Sequence, residues 1–218
     1  MNIVFYVAHV DDEILGGGGT IARMIEAGHR VDVVYATDGQ KYHPDYNYNN
    51  ISAAFESLSR LGVPEKNVHF LGFPMMELQS QKLIDMNIAF DELGLNPDVI
   101  ITVDKNDVNQ DHWAVYNSAS IVGRSIKKPV GLLAMETLSS SEWGEEPTNP
   151  DFYVDISSTI EQKIEAMEQV EHELEEWPHP RSRRGIKIKS QQRGMEVGYD
   201  YAEAFRTIRW FAKFEALV

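Results

Sequence analysis

Five short runs that are apolar on both faces constrain this chain most. They cover residues 3–8, 31–37, 67–71, 99–103 and 130–135, are rich in β-branched and aromatic side chains, and are bounded by turn residues. A strand with no polar face must be covered on both sides, which is how strands of a buried, mostly parallel sheet read. Helical patterns separate the runs. Residues 12–27 lead from a pair of acids to Gly28, a glycine placed to end a helix. Ile51, Ala54, Phe55, Leu58 and Leu61 make one apolar face that stops at Gly62 and Pro64. This alternation predicts an α/β fold with helices on both faces of the sheet. A length of 218 residues fits one such domain, or at most two.

A longer helix is expected near the C-terminus. Ser158-Thr159-Ile160-Glu161 fits a capping box. Ile160, Ile164, Met167, Leu174 and Trp177 follow at helical spacing, with Val170 or Glu171 between them. Seven glutamates between 161 and 176 supply a wet face, and Pro178 stops the helix. A further helix is expected over 201–214.

The chain has no cysteine. A disulfide scaffold, a Cys-ligated zinc finger and a thiol nucleophile are therefore excluded, and any metal must take His, Asp or Glu. Lys and Arg number 20 against 34 Asp and Glu, a formal net charge of −14. Such a surface repels nucleic acid and anionic membrane, so neither is an expected partner. No run of eighteen apolar residues suggests a membrane span. Residues 1–8 lack a basic leader region and a cleavage signal, and a cytoplasmic location is expected. One stretch reverses the charge: Arg181, Arg183, Arg184, Lys187, Lys189 and Arg193 occur with no acid among them. That stretch reads either as a solvated loop or as an anion-recognition edge beside a site.

Chemistry concentrates in three places. The first is Ala8-His9-Val10-Asp11-Asp12-Glu13, at the C-terminal end of the first strand. In open α/β sheets that end carries the ligand crevice. His9 and Asp12 are three apart across a strand-to-helix turn, a spacing that lets both converge on a metal. A helix N-terminus favours acids and accounts for Asp11, Asp12 and Glu13, but not for His9. Gly16 to Gly19 follow; without a Lys-Ser/Thr or a G-x-G-x-x-G they read as close helix packing, not phosphate binding. The second place is Asp107-Val108-Asn109-Gln110-Asp111-His112, after the strand at 99–103. His112 is the natural third ligand. Two imidazoles and a carboxylate leave Zn²⁺ an open position for water. Asp11 or Asp12, whichever does not bind metal, is then available as general base. Asp111 can orient a ligand from behind. The third is Trp177-Pro178-His179-Pro180-Arg181-Ser182, where two prolines fix the backbone around an imidazole suited to acid catalysis or oxyanion stabilisation, or simply form an exposed loop. His29, His69 and His172 read as structural or solvent-facing, and His43 falls in a tyrosine- and asparagine-rich loop at 42–50 that reads as a lid.

Together these residues resemble the LmbE-like, or PIG-L, family of zinc-dependent N-deacetylases. The resemblance spans nearly the whole chain, from the first motif through Thr37-Asp38-Gly39, Leu61-Gly62-Val63, Leu71-Gly72-Phe73, Asn96-Pro97-Asp98-Val99-Ile100, Gln110-Asp111-His112 and Val154-Asp155-Ile156 to Gly198-Tyr199-Asp200-Tyr201-Ala202-Glu203-Ala204-Phe205. It implies a single three-layer Rossmann-like domain over 1–218. It implies His9, Asp12 and His112 as zinc ligands and Asp11 as general base. His179 is the expected acid or oxyanion donor. Asn109, Asp111, Ser139 and Arg181 are the expected substrate contacts. Val10 stands where the family usually has proline, and Asn109 where many members have histidine. The implied substrate is an N-acetylglucosamine-type conjugate, in the manner of a bacterial sugar-conjugate branch, and a homo-oligomer is in keeping with family members that assemble. The residues themselves leave two other readings: a Mg²⁺-dependent phosphohydrolase using Asp11, Asp12 and Asp38, or a non-catalytic sugar- or nucleotide-binding module.

Overall fold

The computed structural model describes residues 1–37, 50–126 and 128–211. The doubly apolar runs become the strands β1 (Asn2–Val7), β2 (Arg30–Thr37), β3 (Val68–Phe73), β4 (Val99–Val103) and β5 (Gly131–Met135). All five are parallel. Their central members have no wet face: every residue of β4 and β5 is buried. Two further strands, β6 (Phe152–Asp155) and β7 (Ala202–Arg209), join antiparallel beside β5. The order across the seven-stranded sheet is β3-β2-β1-β4-β5-β7-β6.

The helices are α1 (Asp12–Glu26), α2 (Asn50–Arg60), α3 (Leu83–Glu92), α4 (Gln110–Val122), α5 (Ile160–Met167) and α6 (Arg183–Val197). From β1 the chain winds outward to β3, then returns to β4 on the other side of β1. Right-handed crossovers in opposite directions put their helices on opposite faces. Accordingly α1, α2 and α5 pack together, and α3 packs with α4. The result is a Rossmann-like α/β domain whose crevice opens where the winding reverses, past the C-terminal ends of β1 and β4.

The four glycines of α1 let it lie unusually close to its neighbours. A Cβ on Gly17 would come 2.4 Å from Phe5 Cε1, and one on Gly19 2.7 Å from Ile156 Cβ. Beneath this contact Lys163 and Glu203 form a buried ion pair at 2.6 Å. Glu203 also accepts from the Gly19 and Thr20 amides, and Lys163 donates to the Leu15 carbonyl.

Four expectations for the C-terminal third are corrected. The helix expected over 201–214 is strand β7 through Arg209, because pairing with β5 and β6 overrides local propensity; residues 212–214 fall outside the described residues. The basic stretch 181–193 is not a loop but mostly helix α6, with Arg181 just ahead of it at the cleft. The helix expected to run from 160 to Pro178 ends at Met167, and a 3-10 turn follows over Glu168–Glu173, broken at Val170 with φ −104° and ψ 51°. Nor does the capping box form: Thr159 Oγ1 donates to the Gly19 carbonyl, and Ser158 Oγ accepts from Arg23. The loop at 42–49 with His43, and Asp38, fall outside the described residues. Among the described residues no helix is long and apolar enough to cross a membrane.

Candidate active site

The turn after β1 delivers the first motif into the crevice. Asp11 is the N-cap of α1, yet its carboxylate makes no capping bond. Its main chain, at φ 140°, does that work instead: the Asp11 carbonyl accepts from Ile14 and Leu15. A non-glycine residue held at such an angle is strained, and strain of this kind collects at functional positions. The turn leaves the Asp11 side chain free for the cleft. Asp12 points the other way, with Oδ2 accepting from the Ala8 and His9 amides at 3.1 and 2.9 Å.

The loop after β4 brings the second motif to meet it. Asn109 caps α4, its side-chain oxygen accepting from the Asp111 amide at 2.9 Å. Three residues on, His112 Nε2 lies 3.1 Å from Asp12 Oδ1. His9 Nδ1 lies 3.7 Å from Asp12 Oδ2, and the two imidazole rings are 5.4 Å apart. One donor atom each from His9, Asp12 and His112 falls within 4.8 Å of the others. Behind each imidazole stands a carboxylate. Asp111 Oδ2 is 3.0 Å from His9 Nε2 and is itself anchored by the Met76 and Leu78 amides. Asp107 Oδ2 is 2.8 Å from His112 Nδ1. This is the arrangement that fixes the ring orientation of metal-ligating histidines.

The electrostatics favour a cation here. Burial pushes the Asp12 carboxyl up, but His112 and His9 outweigh it and hold it well below the usual carboxylate range. Burial pushes His112 down, but Asp12 and Asp107 outweigh it and lift its pKa to about 10. The ring is 1% exposed, and neither nitrogen makes a hydrogen bond of good geometry despite the short distances. A buried imidazole nitrogen aimed at a carboxylate without bonding it fits a shared metal. Asp11 is raised well above the usual range by burial, then by Asp12 and Glu173, with Arg181 opposing. Burial lifts Glu13 to about 7, against the Tyr35 hydroxyl that donates to it at 2.6 Å.

These groups open onto a cleft of about 160 Å³. His9, Asp11, Asp12, His112, Asn109 and Arg181 all line it. Asp111 and Ser139 do not: Asp111 is buried behind His9, and Ser140 lines the wall in place of Ser139. His179 also stands off the cleft, edge-on to Trp143 at 5.6 Å, its Nδ1 accepting from the Arg181 amide. A wider groove of about 700 Å³ along α3 and α4 is lined by Ile84, Ile88, Leu95 and Ile126 and holds no histidine. Sequence reasoning assigned no role to Asp107, nor to Glu173, Thr137 or Met76 in the walls. An acid five residues ahead of a helix-borne histidine was a usable signal for Asp107. Glu173 gave none, because it looked like one more glutamate on a wet helix face.

The model of the PIG-L family, described as GlcNAc-PI de-N-acetylase, matches residues 4–122. No curated protein sequence matches the chain. Among solved structures, the conserved protein TT1542 from Thermus thermophilus is similar at TM-score 0.75 and 24% identity, over 97% of this chain and 96% of that one. The N,N'-diacetylchitobiose deacetylase from Pyrococcus horikoshii is similar at TM-score 0.75 and 18% identity, over 100% and 88%. GalB, the 4-carboxy-2-hydroxymuconate hydratase from Pseudomonas putida, is similar at TM-score 0.73 and 18% identity, over 98% of each chain.

Proposed function

The chain belongs to the PIG-L family, and from that premise we propose that it is a zinc-dependent hydrolase that removes acetyl from an N-acetylated amino sugar, releasing acetate and the free amine. The observation that carries the reading is the His9, Asp12 and His112 donor group with the Asp11 carboxylate, bonded at Oδ2 alone by Arg181, beside it in one cleft. The fold by itself does not choose this reaction, since a hydratase shares it. The donors do more: two imidazoles with one carboxylate suit zinc, whereas Mg²⁺ takes oxygen ligands, which argues against the phosphohydrolase reading.

His9, Asp12 and His112 would hold the ion, which when bound polarises a carbonyl oxygen and acidifies water. Asp107 and Asp111 keep both rings turned toward it. Asp11 takes a proton from the attacking water. Arg181 Nη1, 3.1 Å from Asp11 Oδ2, fixes that oxygen and leaves Oδ1 as the free base. The water oxygen bonds to the acetyl carbon, the carbon–nitrogen bond breaks, and the amine takes up a proton. His179 can supply that proton only by leaving Trp143. His179→Gln tests this role, a drop in kcat with unchanged metal content being the expected result.

Acetate release from a panel of N-acetylhexosamine conjugates, with metal content measured on the same sample, tests the whole reading. Stoichiometric zinc and acetate from at least one sugar are expected. Zinc-free protein that is equally active, or zinc-loaded protein that releases no acetate, would refute it.

A further inference from the structure

The charges around the cleft bear on which sugars enter it. Among the described residues Arg181 is the only Lys or Arg that lines the cleft, and Asp11, Glu173 and Asp12 are the charges around it. Its Nη1 group is held twice, by Asp11 Oδ2 at 3.1 Å and by a tighter contact to Glu173 Oε2, while its Nε is buried without a hydrogen-bond partner. Glu173 reaches it because the backbone breaks at Val170, whose side chain is fully buried, and the 3-10 turn swings Glu173 to the cleft. Helix α6 and the residues before it offer no spare cation. Arg183 pairs with Glu168, Lys187 with Glu161, Lys189 with Glu136 and Glu142, and Arg193 with Glu136 and Glu196. Arg184 lies over the Trp177 ring at 4.3 Å.

A free guanidinium on a cleft wall is the strongest anion receptor a protein has. Here the anion is built in. A substrate phosphate or carboxylate would compete with a tethered carboxylate at high effective concentration and would meet its repulsion once displaced. We infer that Glu173 is a charge-selectivity residue: by occupying Arg181 it makes the cleft accept uncharged N-acetyl sugars and refuse those bearing an anionic group near the acetamide. The sugar class rests on the deacetylase reading; the Glu173–Arg181 coupling does not.

Glu173→Gln keeps the shape and removes the charge. Two measurements compare wild type, Glu173→Gln and Glu173→Gln/Arg181→Met. The first is kcat/KM on N-acetylglucosamine and on its 1- and 6-phosphates. The ratio of phosphorylated to neutral substrate should rise about tenfold in Glu173→Gln and fall back in the double variant, the size expected of one charge-assisted contact. The second is calorimetric titration with inorganic phosphate, with metal content matched. Phosphate should bind about tenfold tighter to Glu173→Gln than to wild type, and the gain should vanish without Arg181. An unchanged ratio with unchanged phosphate affinity overturns the inference, as does a wild type that already prefers the phosphorylated sugars. If no sugar yields acetate, the deacetylase reading falls while the phosphate titration still decides the role of Glu173.

Discussion

At the scale of single residues, the proposed mechanism gives adjacent carboxylates opposite tasks. Asp12 is tied to backbone amides and flanked by imidazoles, so it stays ionised, as the proposed ligand role requires. Asp11, one residue earlier, is turned the other way by its unusual backbone angle and keeps an oxygen for chemistry. Asp11→Asn should therefore keep its metal and lose turnover by about 10²-fold or more, a typical general-base contribution; near-normal acetate release with full metal content would remove Asp11 from the mechanism. Asp107→Asn should act differently. It loosens the charge behind His112 and should weaken metal affinity about tenfold or more, read by competition with a chromophoric chelator, with a smaller effect on kcat at saturating metal. The convergence of His9, Asp12 and His112 was legible because metal binding needs particular residue types at strand ends, and sequence displays both. The partners of Arg181 were not legible. Glu173 lies there through a backbone break that no local pattern announced.

At the scale of elements, the strands were readable wherever burial on both faces left no ambiguity of period, as in β1, β4 and β5. β6 and β7 were not, since β6 has only four residues and β7 takes its state from the strands on either side. The glycines of α1 are the packing device their sequence suggests, and the contacts a Cβ would meet set the size of the effect. Gly17→Ala sets a methyl 2.4 Å from Phe5 Cε1 on β1 and should cost about 1–3 kcal/mol in urea unfolding, the usual range for overpacking a core. Phe5→Leu in the same chain should recover part of that loss, so the two changes should be non-additive. The ion pair below makes a second test of the same layer. Lys163→Met strands Glu203 without its cation in a fully packed interior and should cost about 3–5 kcal/mol. A loss within experimental error would show that the amides of Gly19 and Thr20 satisfy Glu203 alone.

At the scale of the whole molecule, the reversal of winding beside β1 is what makes a site from residues so far apart in sequence. His9 and Asp12 arrive from β1, and His112 from the helix after β4, on the next strand over. A metal held by all three therefore clamps the two halves of the sheet at their shared seam, and its binding energy adds to folding stability. Zinc at a hundredfold excess over its Kd should contribute about 2.7 kcal/mol, which for a chain of this length is a rise in Tm on the order of 5–10 °C. The formal charge of −14 means that any divalent ion will also screen the surface and stabilise a little. His112→Ala separates the two effects, because it removes one ligand from the seam and leaves the surface charge untouched. Wild type should show the full zinc-dependent shift and only a small, shared response to Mg²⁺; the variant should show the small response to both. Equal zinc shifts in the two proteins would mean that the ion binds elsewhere, and the clamp across β1 and β4 would have to be abandoned.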